Sequence, residues 1–298
     1  MSTPEELPPH PLTAAAPVLI RLRAIRPSLT PAEERVAEVV LADARRSAGL
    51  TISALATAAR TSETTVLRFC RRLGLPGYPQ LRLALAEESA QPRTLGGSGT
   101  DINAGDSIDD IIAKVAFTDA SAVEETAHQL DRVALASVAA AIASAGRVDI
   151  YGMGASAIVG TDLQQKLHRI GVVAFAWNDP HIALTSAALL RPGDVAVGIS
   201  HSGTTTETIE SLAAARGTGA TTVALTNFPL SRLAADANLL LTTSARETNL
   251  RSGATASRIA ALTVVDCLYL AVAQRDLGRA RKAVAETRRA VGSHHVID

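Results

Sequence analysis

Thr64, Arg68, Arg71 and Arg72 recur at i, i+4, i+7 and i+8, the spacing that gathers side chains on one face of a helix. Three guanidinium groups and a hydroxyl on one side can pair with guanine edges and phosphate oxygens of a duplex. Ser62, Thr64 and Thr65 stand at the start of the same segment, where a hydroxyl can cap a helix or bond a phosphate. The bland alternative is an arginine-rich solvated face. A second constellation, Ser200-His201-Ser202-Gly203-Thr204-Thr205-Thr206, has five hydroxyls in seven positions. It follows an apolar run and opens a helix, so hydroxyls and first-turn N–H groups together form a neutral cradle for a phosphate monoester. No lysine accompanies it as in a nucleotide P-loop, which favours a sugar phosphate over ATP. Capping alone does not need so many hydroxyls.

A third loop, Tyr151-Gly152-Met153-Gly154-Ala155-Ser156, also passes from an apolar run into a helix. Its glycines let the backbone approach an anion, and Ser156 can cap the helix or bond the ligand. The dinucleotide fingerprint is incomplete, because Ala157 takes its third glycine position. The next strand, read as VVAF, is followed by Ala176-Trp177 rather than an acidic residue. No nicotinamide, and no other cofactor, is expected.

These residues need two kinds of scaffold. Thr30-Pro31-Ala32-Glu33 is a capping box with proline at the first helical position. After Thr51, the residues Ile52, Leu55, Ala56 and Ala59 share one face; after Ser62, Val66, Phe69, Cys70 and Leu73 do the same, and Gly74 ends that helix. Two short helices joined by a tight turn, the second basic outside and apolar inside, describe a helix-turn-helix. Farther on, apolar runs (RVDIYG, VVAF, DVAVGIS, TTVALTN, NLLLTT) alternate with helical segments, which means parallel βαβ units. Amphipathic helices over 107–129 and 131–145 precede them, and a long apolar helix over 254–273 closes the module.

Charge follows this division. The 298 residues carry 29 basic and 29 acidic side chains, so a uniformly basic coat for nucleic acid is excluded. Locally, 18–86 holds eleven arginines against five acids, whereas 99–145 holds two bases against eight acids. The predicted organisation is a disordered N-terminus over 1–17, a helix-turn-helix domain over 18–90, a Gly/Ser-rich linker over 91–105 and an α/β domain over 106–298. Cys70 and Cys267 give no disulfide framework and no metal knuckle, so a reducing, cytoplasmic setting without a metal is expected. The acidic, Pro-rich start is unlike a signal peptide, and Asp266 interrupts the most apolar stretch, so no membrane association is expected.

TISALATAARTSETTVLRFCRRLGLPGYPQLRLAL resembles the DNA-binding domain of the RpiR family of bacterial transcriptional regulators. VDIYGMGAS, ISHSGTTTETIE and RSGATASRIAALTVVDCLYL resemble the sugar isomerase (SIS) domain that follows it in that family. The resemblance spans roughly 18–274 and implies a flavodoxin-like five-stranded parallel sheet. It also implies a regulator of sugar-metabolism genes that binds double-stranded operator DNA under control of a phosphosugar. Carried over, the phosphosugar site falls on Ser200, Ser202, Gly203, Thr204 and Thr205, with Gly154 and Ser156, and more loosely on Glu247 and Arg251. One departure concerns the turn between the two helices, where the family commonly has glycine and an aliphatic residue and this chain has Arg60-Thr61. A non-glycine residue there costs about 1 kcal/mol if its φ is positive.

The rival reading is an SIS-fold sugar-phosphate isomerase with an accessory helical domain. Its base would come from Glu207, Glu247, His168, His181 or His201. The arginine-studded helix, useless to an isomerase, argues for the regulator and against an enzyme. A dimerisation module with a vestigial pocket is the third reading, opposed by the intact Ser200 and Ser202. A homodimer or homotetramer is expected, because one helix-turn-helix reads only a few base pairs.

Overall fold

A computed structural model describes residues 17–90, 101–246 and 256–291. Residues 1–16 of the predicted disordered N-terminus (1–17), most of the predicted linker (91–100) and the segment holding Glu247 and Arg251 lie outside the described residues. The chain divides between Gly96 and Gly97 into two compact units.

The first unit is all-helical: α1 (Val18–Ile25), a 3-10 turn (Arg26–Ser28), α2 (Pro31–Ala42), α3 (Ala44–Gly49), α4 (Ile52–Ala58), α5 (Glu63–Arg72) and α6 (Tyr78–Ala90). Local sequence sets most of these starts. Thr30 and Glu33 form the capping box of α2, and Asp43, Thr51 and Ser62 cap α3, α4 and α5. The apolar spacing then buries Leu55, Val66, Phe69, Cys70 and Leu73 with Leu22, Val36, Leu81 and Leu85 in one core. Burial pushes the Cys70 thiol up to about 11, so it behaves as a core hydrophobe.

Two arginines brace the ends of the helix-turn-helix pair. The buried Arg21 donates to the Leu73 carbonyl at 2.7 Å, at the C-terminal end of α5. Arg35 donates to the carbonyls of Ala59 (3.1 Å) and Arg60 (3.2 Å), clamping the turn between α4 and α5. Among the described non-glycine residues, Arg60 alone has positive φ, at 50°. The departure from glycine at this turn therefore does place a side chain in the left-handed region, and Arg35 offsets part of the strain. Arg60→Gly is expected to stabilise the unit by about 0.5–1 kcal/mol, the left-handed penalty less glycine's unfolded-state entropy. Urea unfolding of both proteins at unchanged m-value checks this.

The second unit is a three-layer α/β/α domain. After α7 (Ile108–Gln129) and α8 (Arg132–Ser144) come β1 (Val148–Gly152), α9 (Ala155–Arg169), β2 (Ala174–Trp177), α10 (Pro180–Ala187) and β3 (Val195–Ile199). These are followed by α11 (Thr206–Gly217), β4 (Thr221–Thr226), α12 (Arg232–Ala235), β5 (Leu239–Thr242), α13 (Ala256–Arg275) and α14 (Leu277–Val291). All strands are parallel, in order β2-β1-β3-β4-β5, with Val148 opposite both Ala174 and Val195. This is the flavodoxin-like arrangement, and its strand order reverses between β1 and β3.

Alternation along the strands sends Val148, Ile150, Val195, Val197 and Ile199 to the layer of α8, α9 and α13. Tyr151, Ala196 and Ala224 face α10, α11 and α12. On that second face the fully buried Asp149 is met by Arg147 Nε at 2.7 Å, Ser186 Oγ at 2.6 Å and Trp177 Nε1 at 2.9 Å, which ties β1 to β2 and α10.

Three expectations need correction. The second strand starts at Ala174 rather than Val172 and runs through Trp177, so its carboxyl end meets Asn178-Asp179. Asp179 is nevertheless committed as the cap of α10, accepting from the Ile182 N–H at 3.0 Å. Residues 101–105, read as linker, are held to α7, because Lys114 bonds the Asp101 carbonyl and the Asp106 carboxylate. The long apolar helix does not close the module, since α14 follows it and docks through Ala280 and an Arg279 bond to the Gly171 carbonyl.

Candidate functional site

A cleft of about 420 Å³ opens at the carboxyl ends of β1 and β3, at the switch point of the sheet. Gly154 and Ser156 from the β1–α9 loop line it, as do Ser200, His201, Ser202 and Thr205 from the β3–α11 loop. Farther elements add Thr226, Thr243, Ser257 and Arg258.

The β3–α11 loop is held by its own hydroxyls. Ser200, 2% exposed, shares a hydrogen bond with Thr205 at 2.9 Å and accepts from the Gly203 N–H at 3.1 Å. Ser202 pairs with Thr204 at 2.9 Å. Thr226 and the Asn227 N–H both bond the His201 carbonyl at 3.1 Å, pinning the loop to the end of β4. Gly203 has φ 65°, and a Cβ there would overlap Ser231 and come within 2.9 Å of Thr226 Oγ1. Gly203→Ala is therefore expected to destabilise the domain by about 1–3 kcal/mol and distort the cradle. Thermal unfolding measures the first effect and sugar-phosphate titration the second.

Most helix starts carry a side-chain cap; α1, preceded by Pro17, instead has its Val18 and Leu19 N–H groups bonded to the Glu88 carboxylate. Side chains of Thr30, Asp43, Thr51, Ser62, Ser107, Asp131, Asp179 and Ser231 cap their helices. The caps of α9 (Gly154, φ 55°) and α11 (Thr205) make no such bond. Two helix N-termini without side-chain caps thus bring their positive dipole ends to one cleft, an arrangement suited to an anion, although the Ser156 and Ala157 N–H groups of α9 already bond the Met153 and Gly154 carbonyls. The well-capped alternative for the second loop does not hold.

Each predicted site residue has a definite position. Gly154, Ser156, Ser200, Ser202 and Thr205 line one cleft; Gly203 and Thr204 brace its loop. Glu247 lies outside the described residues. Of the proposed isomerase bases, His201 lines the cleft, whereas Glu207, His168 and His181 are exposed and outside its lining. Among the described residues no carboxylate lines it. Thr226, Thr243, Ser257 and Arg258 were not singled out because they lie on separate elements away from the two loops, although Ser257 and Arg258 fall inside the RSGATASRIAALTVVDCLYL run that carried the resemblance.

On α5, Ser62, Thr64, Arg68 and Arg71 are exposed. Thr65 is 5% exposed and its hydroxyl bonds Ser62 at 3.0 Å, so it serves the helix start rather than an outward face. Arg72 is exposed as well, but its guanidinium is engaged within the unit, donating to the Ser28 carbonyl at 2.8 Å and lying 3.7 Å from Glu33. Burial works to raise the Glu33 carboxyl, but bonds from Thr30 and the charges of Arg72 and Arg68 outweigh it and hold the carboxyl below its usual range.

The comparisons agree with this architecture. Residues 17–92 match the helix-turn-helix domain of the rpiR family and residues 141–271 match the SIS domain. The chain is 40% identical over 259 residues to the uncharacterised HTH-type transcriptional regulator TTE0211 of Caldanaerobacter subterraneus, covering 87% of this chain and 91% of that one. It is 31% identical to the HTH-type regulator YbbH of Bacillus subtilis, covering 92% and 97%. The structure of the Vibrio vulnificus NanR protein complexed with ManNAc-6P superposes with a TM-score of 0.61 at 31% identity, covering 94% of this chain and all of that one. With a helix-turn-helix unit, a five-stranded SIS unit and relatives matched along nearly their whole length, the chain belongs to the RpiR family of transcriptional regulators.

Proposed function

We propose that this regulator binds operator DNA through α5 and that a sugar phosphate in the cleft changes that binding without being consumed. The observation that carries the reading is the pair of uncapped helix starts of α9 and α11 meeting at the hydroxyls of Ser156, Ser200, Ser202 and Thr205. A neutral cradle of this kind suits a phosphate monoester, and the NanR relative is described in complex with ManNAc-6P. On the DNA side, Arg68 and Arg71 with Ser62 and Thr64 form the outward face of the second helix of the motif. We infer a sensor rather than an isomerase, since His201 is the single base candidate lining the cleft among the described residues. The protein would act in the cytoplasm, beside the genes it controls.

The test is a titration of operator binding with pentose, hexose and amino-sugar phosphates, alongside a turnover assay on the same compounds. A shift in operator affinity with the compound recovered unchanged supports the reading; turnover favours the isomerase.

Association of copies follows from the same reading. α13 is long and apolar enough to cross a membrane, yet Val264, Val265, Leu268 and Val272 pack it into the sheet core. Its outer face leaves Leu270 62% exposed, beside Leu277 at 48%. A second copy covering this face would also pair two DNA-binding units on a two-fold operator. Sedimentation at micromolar concentration is expected to give a dimer or tetramer; a monomer, with and without DNA, contradicts it.

A further inference from the structure

We infer that the cleft is built for a sugar phosphate bearing a second anionic group, with Arg258 as that group's counter-ion; this rests on the effector reading above. The phosphate end is already provided for. Ser156, Ser200, Ser202 and Thr205 supply hydroxyls, and the uncapped starts of α9 and α11 supply N–H groups. None of these is charged, and all come from the loops after β1 and β3.

Arg258 enters from elsewhere. It stands in the first described turn of α13, a helix in the layer opposite α11, and lines the same cleft half-buried. It makes no hydrogen bond or ion pair with the described residues, although Arg21, Arg35, Arg72 and Arg147 are all engaged. No described carboxylate lines the cleft to neutralise it. A half-buried guanidinium with no hydrogen-bond or ion-pair partner among the described residues is unfavourable on its own terms. A ligand anion supplies that partner, and a guanidinium fork suits a carboxylate or a second phosphate. A sugar phosphate that is otherwise neutral leaves that fork facing hydroxyls alone.

Matched pairs isolate the second anion: 6-phosphogluconate against glucitol 6-phosphate, which differ only at C1, and fructose 1,6-bisphosphate against fructose 6-phosphate. Binding to the full chain is measured by calorimetry. The expected result is that the member carrying the second anionic group in at least one pair binds tenfold tighter or more. Arg258→Gln then erases that gap while leaving the other member within about twofold, and Arg258→Lys retains most of it. Equal affinities within both wild-type pairs overturn the inference. Arg258→Gln weakening both members alike also overturns it, because Arg258 would then hold the phosphate itself. If none of the four compounds binds and none of the broader sugar-phosphate panel shifts operator binding, the effector reading fails, and the inference with it. Unfolding curves for both variants separate loss of binding from loss of fold.

Discussion

Replacing Ser200 and Ser202 together by alanine abolishes the response of operator binding to sugar phosphates and leaves ligand-free operator affinity within about twofold of wild type. The two serines act at different depths. Ser200 is buried, and its Oγ holds the Gly203 N–H and the Thr205 hydroxyl in place. Ser202 is exposed at the loop crest and is braced by Thr204. Losing both removes direct ligand bonds and the geometry of the remaining ones. Hydrogen bonds to a charged group are each worth about 1.5–3 kcal/mol, so two lost bonds weaken the ligand by roughly two orders of magnitude or more. Since a ligand shifts an equilibrium only by its differential affinity, the response disappears over the accessible concentration range. Operator titrations of wild type and double mutant with the same sugar-phosphate panel give the answer. A mutant that responds as wild type does means that the effector site lies elsewhere.

Arg68→Ala with Arg71→Ala lowers operator affinity by about 2 kcal/mol or more, roughly thirtyfold, whereas Arg72→Ala leaves the operator affinity of the folded protein nearly unchanged. Arg68, Arg71 and Arg72 are all exposed, but Arg68 and Arg71 make no hydrogen bond among the described residues, so their guanidinium groups are the ones positioned to reach base edges or phosphates. Arg72 is spent on the Ser28 carbonyl and on Glu33. Its removal is expected instead to destabilise the helical unit by about 1 kcal/mol, the worth of an ordinary internal hydrogen bond. If one of the two exposed arginines contacts phosphate, its loss weakens all sequences alike and flattens the salt dependence. Electrophoretic shifts on operator and scrambled DNA at two salt concentrations separate these roles. Equal operator binding by wild type and the Arg68/Arg71 double mutant removes α5 as the reading helix.

Much of this molecule was legible in local chemistry. The Thr30 capping box, the Ser62 cap and the Val66–Phe69–Cys70–Leu73 face appear in the structure where their spacing put them. Short-range hydrogen bonds and helical periodicity act within a few residues, so the order of residues suffices to state them. The alternation of apolar runs with helices likewise announced a parallel sheet, because parallel strands need crossover connections. The two loops that line the cleft were recognisable because each is a contiguous run leaving a strand.

Other features were decided in three dimensions. Thr65 and Arg72 have the types and spacing of DNA contacts, but their destinations depend on the packing of α5 against its own start and against the 3-10 turn 44 residues away. The start of β2 at Ala174 is set by its pairing with Val148 rather than by the hydropathy of Val172 and Val173. Arg258 meets the serine loop only because α13 returns to the sheet beside α9, bringing a residue more than fifty positions from Ser202 into the same cleft. Periodicity states which face of an element is apolar, but not which partner that face will find. That partner is selected by whole-domain packing, where each element's burial depends on all the others.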